Sequence, residues 1–159
     1  MNIIIIGATS GIGKELWKLY AVEDNHVAVL GRRKHLLEQM YKERINNTLI
    51  YEVNIANTKS ATQCIDEIFK ELHKIDLAIV CAGTGNINTE LLFDIELGAI
   101  NTNVVGWTAT VDCIYNHFRQ QNEGHLVAIT SIGGLAGEPA APAYSATKAY
   151  QINYTQALC

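Results

Sequence analysis

Residues 2–13 have the sequence Asn-Ile-Ile-Ile-Ile-Gly-Ala-Thr-Ser-Gly-Ile-Gly, and two patterns that decide the fold meet in this stretch. The β-branched run that ends at Ile6 predicts a short strand buried on both faces. A turn rich in glycine follows and leads into a predicted helix with Leu16, Leu19 and Tyr20 on its apolar face. A strand, a glycine turn and a helix in direct succession are typical of the start of a parallel α/β sheet.

The three glycines of this turn each meet a requirement of a phosphate-binding turn. Gly7 permits the tight bend, Gly11 lets the backbone approach a pyrophosphate, and Gly13 allows the helix to pack closely on the strand. Free N–H groups and the positive dipole end of the helix would attract the phosphates of a dinucleotide. The spacing is G-x-x-x-G-x-G rather than the commoner G-x-G-x-x-G, so a purely structural turn remains the alternative.

Apolar runs and helical periodicities alternate from this turn to the end of the chain. Strands are predicted over residues 26–30, 48–53, 77–81 and 126–130, and helices over residues 36–44, 57–73, 100–121 and 143–158. This alternation predicts one α/β domain over residues 1–159, a Rossmann-type doubly wound parallel sheet of five strands with helices on both faces. Ligands of such sheets bind beyond the carboxyl ends of the strands, where the strand order reverses.

The end of the second predicted strand carries two arginines, Arg32 and Arg33, and no acidic residue. A carboxylate at this point usually holds the ribose of a cofactor that lacks a 2′-phosphate, whereas arginine suits the 2′-phosphate of NADP. The pattern therefore favours NADP(H) over NAD(H). A solvated helix start is the alternative, because Lys34 and His35 continue the basic run.

Tyr144 and Lys148 lie four residues apart in a helix that Pro142 is expected to open. That spacing places both side chains on one face, where an ammonium group stabilises a phenolate and prepares the tyrosine for proton transfer. Ser131 follows the last predicted strand, and its hydroxyl could point at the same substrate oxygen. The alternative is a packing or solvated pair without chemistry. Asn103, a polar residue in a predicted apolar helix, is likewise either a satisfied core amide or a functional group.

Composition excludes several classes of function. With 48% hydrophobic residues and a net charge of −4, the chain can fill a core but offers no basic surface for nucleic acid or anionic membranes. It lacks a membrane-spanning run and a signal peptide, which predicts a cytoplasmic protein. The five histidines lack metal-ligand spacing, so no metal site is expected. The four cysteines form no C-x-x-C pair and are expected to be mostly buried, reduced thiols: Cys64, Cys81, Cys113 and Cys159.

These residues together resemble the short-chain dehydrogenase/reductase family along essentially the whole chain. The glycine turn resembles the cofactor motif of that family, and Ala82 and Gly83 resemble the end of its Asn-Asn-Ala-Gly segment. The four catalytic positions of the family are matched in order, with the family spacing between serine and tyrosine, by Asn103, Ser131, Tyr144 and Lys148.

The resemblance implies an NADP(H)-dependent oxidoreductase that interconverts a carbonyl and a secondary alcohol by hydride transfer without a metal. It implies that Tyr144 is the general acid/base, that Lys148 activates it and binds the nicotinamide ribose, and that Ser131 orients the carbonyl. Asn103 would hold a water that relays protons to Lys148. A homodimer or homotetramer through the last two long helices is also implied. The cofactor would be bound by Gly7, Thr9, Ser10, Gly11, Ile12, Gly13, Arg32, Arg33, Asn54, Ile55, Ala82, Gly83, Tyr144 and Lys148.

The chain departs from the family pattern at several cofactor positions. Val80 and Cys81 replace the two asparagines of the Asn-Asn-Ala-Gly segment, and a thiol cannot make the paired hydrogen bonds of an amide. Asn54 replaces an aspartate that faces the adenine, and Ser10 stands where NADP-preferring members often have a basic residue. The 2′-phosphate is therefore expected to depend mainly on Arg32 and Arg33.

The sequence also stops before the last strands of the family pattern and before its substrate-binding segment. The fifth strand is therefore expected at an exposed edge of the sheet. A fragment, a natural truncation and a chain completed by a partner remain the three explanations. A catalytically inactive nucleotide-binding or interaction module remains the alternative function, and the substrate and the reaction direction stay open.

Overall fold

A computed structural model of the chain, which describes residues 1–158, forms five strands and six α-helices in those residues. The strands are β1 (Asn2–Ile6), β2 (His26–Gly31), β3 (Thr48–Glu52), β4 (Leu77–Val80) and β5 (His125–Ala128). The helices are α1 (Gly11–Tyr20), α2 (Lys34–Glu43), α3 (Thr58–Leu72), α4 (Phe93–Ile100), α5 (Trp107–Gln121) and α6 (Pro142–Ala157). A π-helical segment, Asn101–Gly106, joins α4 to α5, and a short 3₁₀ turn, Ile132–Gly134, follows β5.

The five strands form one parallel sheet in the order β3-β2-β1-β4-β5. On the central strand, Ile4 pairs with Ala28 of β2 on one side and with Ala78 of β4 on the other. The strand order reverses beside β1, so the crevice beyond its carboxyl end is the expected ligand position. The predicted doubly wound fold is confirmed, and β5 lies at the edge of the sheet as expected.

Two apolar layers cover the faces of the sheet. Successive residues of a strand point to opposite faces, so Ile4 and Ile6 pack with α3 and α5, while Ile3 and Ile5 pack with α1 and α2. All four isoleucines are essentially inaccessible to solvent. Burying one such side chain contributes about 1.5–3 kcal/mol, which explains why the unbroken apolar run becomes the central strand.

The predicted apolar face of α1 is partly wrong. Leu19 is 70% exposed, and Trp17 is the large side chain of this helix that is fully buried. The Trp17 Nε1 donates a hydrogen bond to Thr48 Oγ1 at 3.0 Å, which satisfies the indole within the core. Because the helix begins at Gly11, Gly13 and Trp17 face the sheet one turn apart and Leu19 turns away.

The helix predicted over residues 100–121 begins earlier, at Phe93, and contains the π-helical segment. No side chain caps its start at Leu92, which removes the usual sequence signal of a helix N-terminus. Asn57, in contrast, caps α3 as predicted, because its side chain accepts a hydrogen bond from the Ser60 amide at 3.2 Å. A side chain at Gly106 would overlap the Ile55 carbonyl, so this glycine lets the long helix approach the loop after β3.

The described cysteines, Cys64, Cys81 and Cys113, are unpaired and of intermediate burial, neither fully enclosed nor fully exposed. Each lies at the margin of the core rather than inside it, and Cys81 lines a groove. Cys159 lies outside the described residues. Within residues 1–158, no helix is long and apolar enough to cross a membrane. No cluster of three metal-ligating side chains occurs in the same part of the chain.

Candidate active site

A groove of about 650 Å³ runs along the carboxyl ends of the strands. The strand-end loops meet there because parallel strands place all their carboxyl ends at one edge. Asn103 and Ser131 are not among its lining residues. The positions predicted to hold a cofactor all line it: Gly7, Thr9, Ser10, Gly11, Ile12, Gly13, Arg32, Arg33, Asn54, Ile55, Ala82, Gly83, Tyr144 and Lys148.

The glycine turn has a backbone that only glycine adopts easily. Gly7 and Gly11 have φ angles of +86° and +53°, in the left-handed region that favours glycine. A side chain at Gly13 would overlap the Gly7 carbonyl oxygen, which would push α1 away from β1. Apart from its chain neighbours and the backbone of its own helix, no described residue lies within 4 Å of the place that a Gly11 side chain would occupy, so the groove is open to a ligand at this point.

The amino end of α1 is free to receive an anion. Ser10 occupies the N-cap position in an extended conformation, its side chain does not cap the helix, and the first turn contains no acidic residue. The first amides of a helix carry a partial positive charge and lack intrahelical acceptors. This uncapped, glycine-lined start therefore fits the pyrophosphate of a dinucleotide.

Arg33 reaches across the turn. Its Nε and Nη2 donate hydrogen bonds to Thr9 Oγ1 at 3.0 and 2.7 Å, and Nη2 donates to Ser10 Oγ at 2.6 Å. Arg32 lines the groove beside it. Among the described lining residues the only carboxylate is Glu138, whose backbone amide bonds to Ser145 on α6. The end of β2 is therefore the cationic end of the groove, and it fits a phosphate.

Tyr144 and Lys148 lie at the opposite end of the groove. The helix that carries them begins at Pro142, as predicted, and the Lys148 Nζ lies 5.8 Å from the centroid of the Tyr144 ring. A side chain at Gly83 would lie 3.1 Å from Nζ, and one at Gly85 would overlap the Tyr144 ring. The glycines of the loop after β4 therefore let this loop pack directly against both side chains.

Lys148 is almost completely buried, with 4% of its surface exposed. Its Nζ donates hydrogen bonds to Gln151 Oε1 at 2.9 Å and to the Ile129 carbonyl at 3.3 Å. Burial lowers the pKa of Lys148 from its ordinary value, and the nearby Cys81 acts in the opposite direction. Burial also raises the pKa of the Cys81 thiol to about 11, an effect that Lys148 partly offsets.

Ser131 lies beside the groove at the start of the 3₁₀ turn. Its Oγ accepts a hydrogen bond from the Gly133 amide at 3.1 Å. A Cβ built on Gly133 would lie 3.5 Å from the Ser131 Oγ and 3.7 Å from Cε1 of Tyr144. Ser131 and the Tyr144 ring therefore both lie near Gly133.

Asn103 is fully buried in the π-helical segment. Its Oδ1 accepts from the Thr84 amide at 2.8 Å, and its Nδ2 donates to the Thr84 carbonyl at 2.7 Å and to Thr147 Oγ1 at 3.0 Å. The side chain is thus a satisfied core amide that fixes the loop after β4. The backbone carbonyl of Asn103 accepts a further hydrogen bond, from Gln151 Nε2 at 2.9 Å.

Three polar residues that bond to Asn103 or Lys148 were not predicted from the sequence: Thr84, Thr147 and Gln151. Thr84 acts through its backbone, which no sequence pattern reveals. Gln151 carried a usable signal, because it is a polar residue three positions after Lys148 on the same predicted helix, where the two side chains can meet.

The parallel sheet with its glycine turn at the end of β1 has the Rossmann-type fold, and the turn is of the kind found in dinucleotide-binding proteins. The model of the family described as short chain dehydrogenase matches residues 1–159. The chain belongs to this family, as its sequence predicted.

The chain is also similar to individual proteins and solved structures. The chain is 30% identical over 158 residues to a 3-ketodihydrosphingosine reductase of Bacteroides thetaiotaomicron, covering 98% of this chain and 56% of the relative. The structure of ElxO with NADP bound has a TM-score of 0.87 and 25% identity, covering 96% of this chain and 64% of that one. NAD⁺-bound xylitol dehydrogenase has a TM-score of 0.87 and 21% identity, covering 98% and 62%. The chain spans slightly more than half the length of the named reductase.

Proposed function

We propose that this chain is a single NAD(P)-binding domain of an NADP(H)-dependent oxidoreductase that interconverts a carbonyl and a secondary alcohol. The observation that supports it best is that Tyr144 and Lys148 line the same groove as the glycine turn, with Nζ 5.8 Å from the tyrosine ring. A phenol and an ammonium in one groove with a dinucleotide turn suit proton transfer beside a hydride donor. The similar reductase supports the reaction class but does not identify the substrate.

In the reductive direction, bound NADPH would supply the hydride for the carbonyl carbon. The Tyr144 hydroxyl donates its proton to the carbonyl oxygen as negative charge develops there. The Lys148 ammonium stabilises the phenolate that remains, and the Ser131 hydroxyl donates a hydrogen bond that orients the carbonyl. In the oxidative direction, the Tyr144 phenolate accepts the proton of the alcohol.

The groove offers a separate group for each part of the cofactor. The glycine turn and the start of α1 would hold the pyrophosphate, and Arg32 and Arg33 would hold the 2′-phosphate. Asn54 and Ile55 would face the adenine, and Ala82 and Gly83 would line the nicotinamide ribose. NADP(H) is preferred in this proposal because two cations and no carboxylate lie at the end of β2. Both NADP-bound and NAD⁺-bound relatives share the fold.

The test is NADPH oxidation with a panel of ketones and aldehydes, with Tyr144→Phe as the control. The phenylalanine keeps the ring that packs on Gly85 and removes only the proton donor. We expect the variant to lose about 10²–10⁴-fold in kcat, the usual contribution of a general acid. Equal rates for the two proteins would overturn the proposal.

A second candidate is a nucleotide-binding module without catalysis. Exposed apolar side chains support it: Ile87, which lines the groove, is 77% exposed, and Ile132 and Leu135 in the segment after β5 are 83% and 77% exposed. Calorimetry would then show NADPH binding without turnover of any carbonyl in the panel. Turnover that depends on Tyr144 would exclude this candidate.

Assembly and location belong to the same proposal. Exposed apolar side chains along the long helix, Phe93, Leu97 and Val105, support a homodimer or homotetramer through α4, α5 and α6. A monomer at high concentration in sedimentation would contradict this. The unpaired thiols of the described chain support a cytoplasmic location. The net charge of −4 agrees with a small-molecule partner rather than nucleic acid.

A further inference from the structure

Gln151 connects two residues of the proposed active site inside the protein. The residue is fully buried on α6, three positions after Lys148. Its Oε1 accepts a hydrogen bond from the Lys148 Nζ at 2.9 Å, and its Nε2 donates one to the Asn103 backbone carbonyl at 2.9 Å. One carboxamide therefore links the ammonium to the π-helical segment, and both of its ends are used.

The Lys148 ammonium depends on neutral partners. A buried charge is costly unless its hydrogen bonds are satisfied. The acceptors of Nζ among the described residues are Gln151 and the Ile129 carbonyl, and Gln151 is the nearer. None of the ion pairs formed by the described residues includes Lys148. The titratable groups that face it are the Tyr144 phenol on its own helix and the Cys81 thiol after β4.

A carboxamide also differs chemically from a water molecule at this position. It neither gains nor loses a proton readily near neutral pH, so a bridge through Gln151 orients its two partners without carrying protons between them. The bond to the Asn103 carbonyl holds the Gln151 side chain in place. Gln151 therefore holds the Lys148 ammonium beside Gly83, where Lys148 lines the groove. Gln151 itself does not line the groove.

We propose that Gln151 is the positioning residue for Lys148, and that its carboxamide holds the ammonium beside Tyr144 by anchoring it to the Asn103 carbonyl. The inference rests on the proposed function for the role of Lys148, but the contact itself can be tested without turnover. Removing the acceptor leaves the buried ammonium with the more distant Ile129 carbonyl, which disfavours its charged form. Replacing the acceptor by a carboxylate favours the charged form instead.

The experiment compares three variants of the whole chain. Gln151→Met preserves the size of the side chain and removes both hydrogen bonds, whereas Gln151→Glu keeps an acceptor for Lys148 and adds a charge. Gln121→Met is the matched control, because Gln121 is another glutamine that bonds on both sides, to the amide and the carbonyl of Ile75, away from the groove. The Lys148 ammonium is titrated by NMR with ¹⁵N-labelled lysine, and its signal is assigned by its loss in Lys148→Met.

We expect the titration midpoint of Lys148 to fall by about one pH unit in Gln151→Met, since a hydrogen bond to a charged group is lost. The midpoint should rise in Gln151→Glu and stay unchanged in Gln121→Met. The pH profile of kcat for NADPH oxidation should shift in Gln151→Met and stay unchanged in Gln121→Met. If Gln151→Met does not fold, the rise in Gln151→Glu still tests the contact.

The outcomes separate this inference from the proposed function. Midpoints that do not move in either Gln151 variant, or that move in the same direction in both, would overturn the role of Gln151 even if the enzyme is active. Opposite shifts without turnover of any carbonyl would support the contact and overturn the oxidoreductase proposal. A pH profile that moves equally in Gln121→Met would show a general stability effect and overturn the positioning role.

Discussion

The side chain of Asn103 pairs with both backbone groups of Thr84, accepting from its amide at 2.8 Å and donating to its carbonyl at 2.7 Å. In a β-sheet, a neighbouring strand makes such a pair of hydrogen bonds to the N–H and C=O of one residue. Here a single side-chain carboxamide makes both, and it belongs to a residue in the middle of a helix. The loop that contains Thr84 also contains Gly83 and Gly85, which lie against Lys148 and the Tyr144 ring. Asn103 therefore fixes the wall of the groove on which the two side chains rest.

Asn103→Asp should destabilise the fold by about 2–4 kcal/mol. A carboxylate cannot donate a hydrogen bond to the Thr84 carbonyl, and it would place a negatively charged oxygen against the carbonyl oxygen in the core. Urea unfolding monitored by circular dichroism measures the change. Asn116→Asp on the exposed side of α5 is the control, with an expected change within about 0.5 kcal/mol. A loss below 1 kcal/mol for Asn103→Asp would contradict this account of the pairing.

Gly13→Ala and Gly98→Ala should change stability in opposite directions, although both glycines lie in helices. A methyl group at Gly13 would overlap the Gly7 carbonyl oxygen, and overpacking of this kind costs about 1–3 kcal/mol. A methyl group at Gly98 would meet no described atom within 4 Å outside its chain neighbours and its own helix backbone, so alanine should gain about 0.5–1 kcal/mol of helix propensity there. Thermal unfolding of the two variants measures both effects, and a shift of the same sign would show that Gly13 does not pack as described.

The elements that the sequence predicted correctly are those that local patterns determine. The run before Gly7 is apolar at every position and ends in a glycine turn, so the strand and its burial follow from sequence alone. The Tyr144–Lys148 pair was predictable for a similar reason. Pro142 marks the start of α6, and residues four positions apart in a helix lie on the same face.

The features that the sequence did not predict depend on contacts between distant segments. The long helix starts at Phe93 without a capping side chain. Its π-helical segment contains Asn103, whose backbone carbonyl accepts a hydrogen bond from Gln151 of α6. The choice of Trp17 over Leu19 for the core likewise depends on Thr48, which lies 31 residues away and accepts the indole hydrogen bond. No local pattern contains this information.

Arg33→Ala should lower the affinity for NADPH about 10–100-fold more than the affinity for NADH, because charge-assisted hydrogen bonds to the 2′-phosphate are lost. Thr9 and Ser10 already hold the guanidinium beside the glycine turn. Arg32→Ala should also lower the ratio, by a smaller factor, since no described hydrogen bond holds its side chain in place. Isothermal titration with both cofactors measures the ratio.

Lys34→Ala is the control for the cofactor ratio, because Lys34 continues the basic run but does not line the groove. Its effect on the two affinities should be small and equal, as expected of a solvated surface charge. If Arg32→Ala and Arg33→Ala both left the ratio of the two affinities unchanged, the preference for NADP(H) would be wrong.

Alkylation of Cys81 tests the cofactor groove without any turnover. The pKa of Cys81 is raised to about 11 by burial, from 9.0, so at pH 8 its thiolate is about a hundredfold scarcer than in an ordinary thiol. Reaction with iodoacetamide should be slow and should accelerate about tenfold per pH unit between pH 8 and 10, as thiolate forms. Saturating NADPH should slow it further, because Cys81 lines the groove.

Cys64 is an internal control in the same experiment. Burial also raises its pKa to about 11, so its reactivity and pH dependence should match those of Cys81, but it lies on α3 and is not a groove residue. Peptide mass spectrometry separates the two rates. Protection of Cys81 alone would place the nucleotide beside β4, whereas equal protection of both thiols would indicate a global tightening of the fold, and no protection at Cys81 would put the cofactor elsewhere.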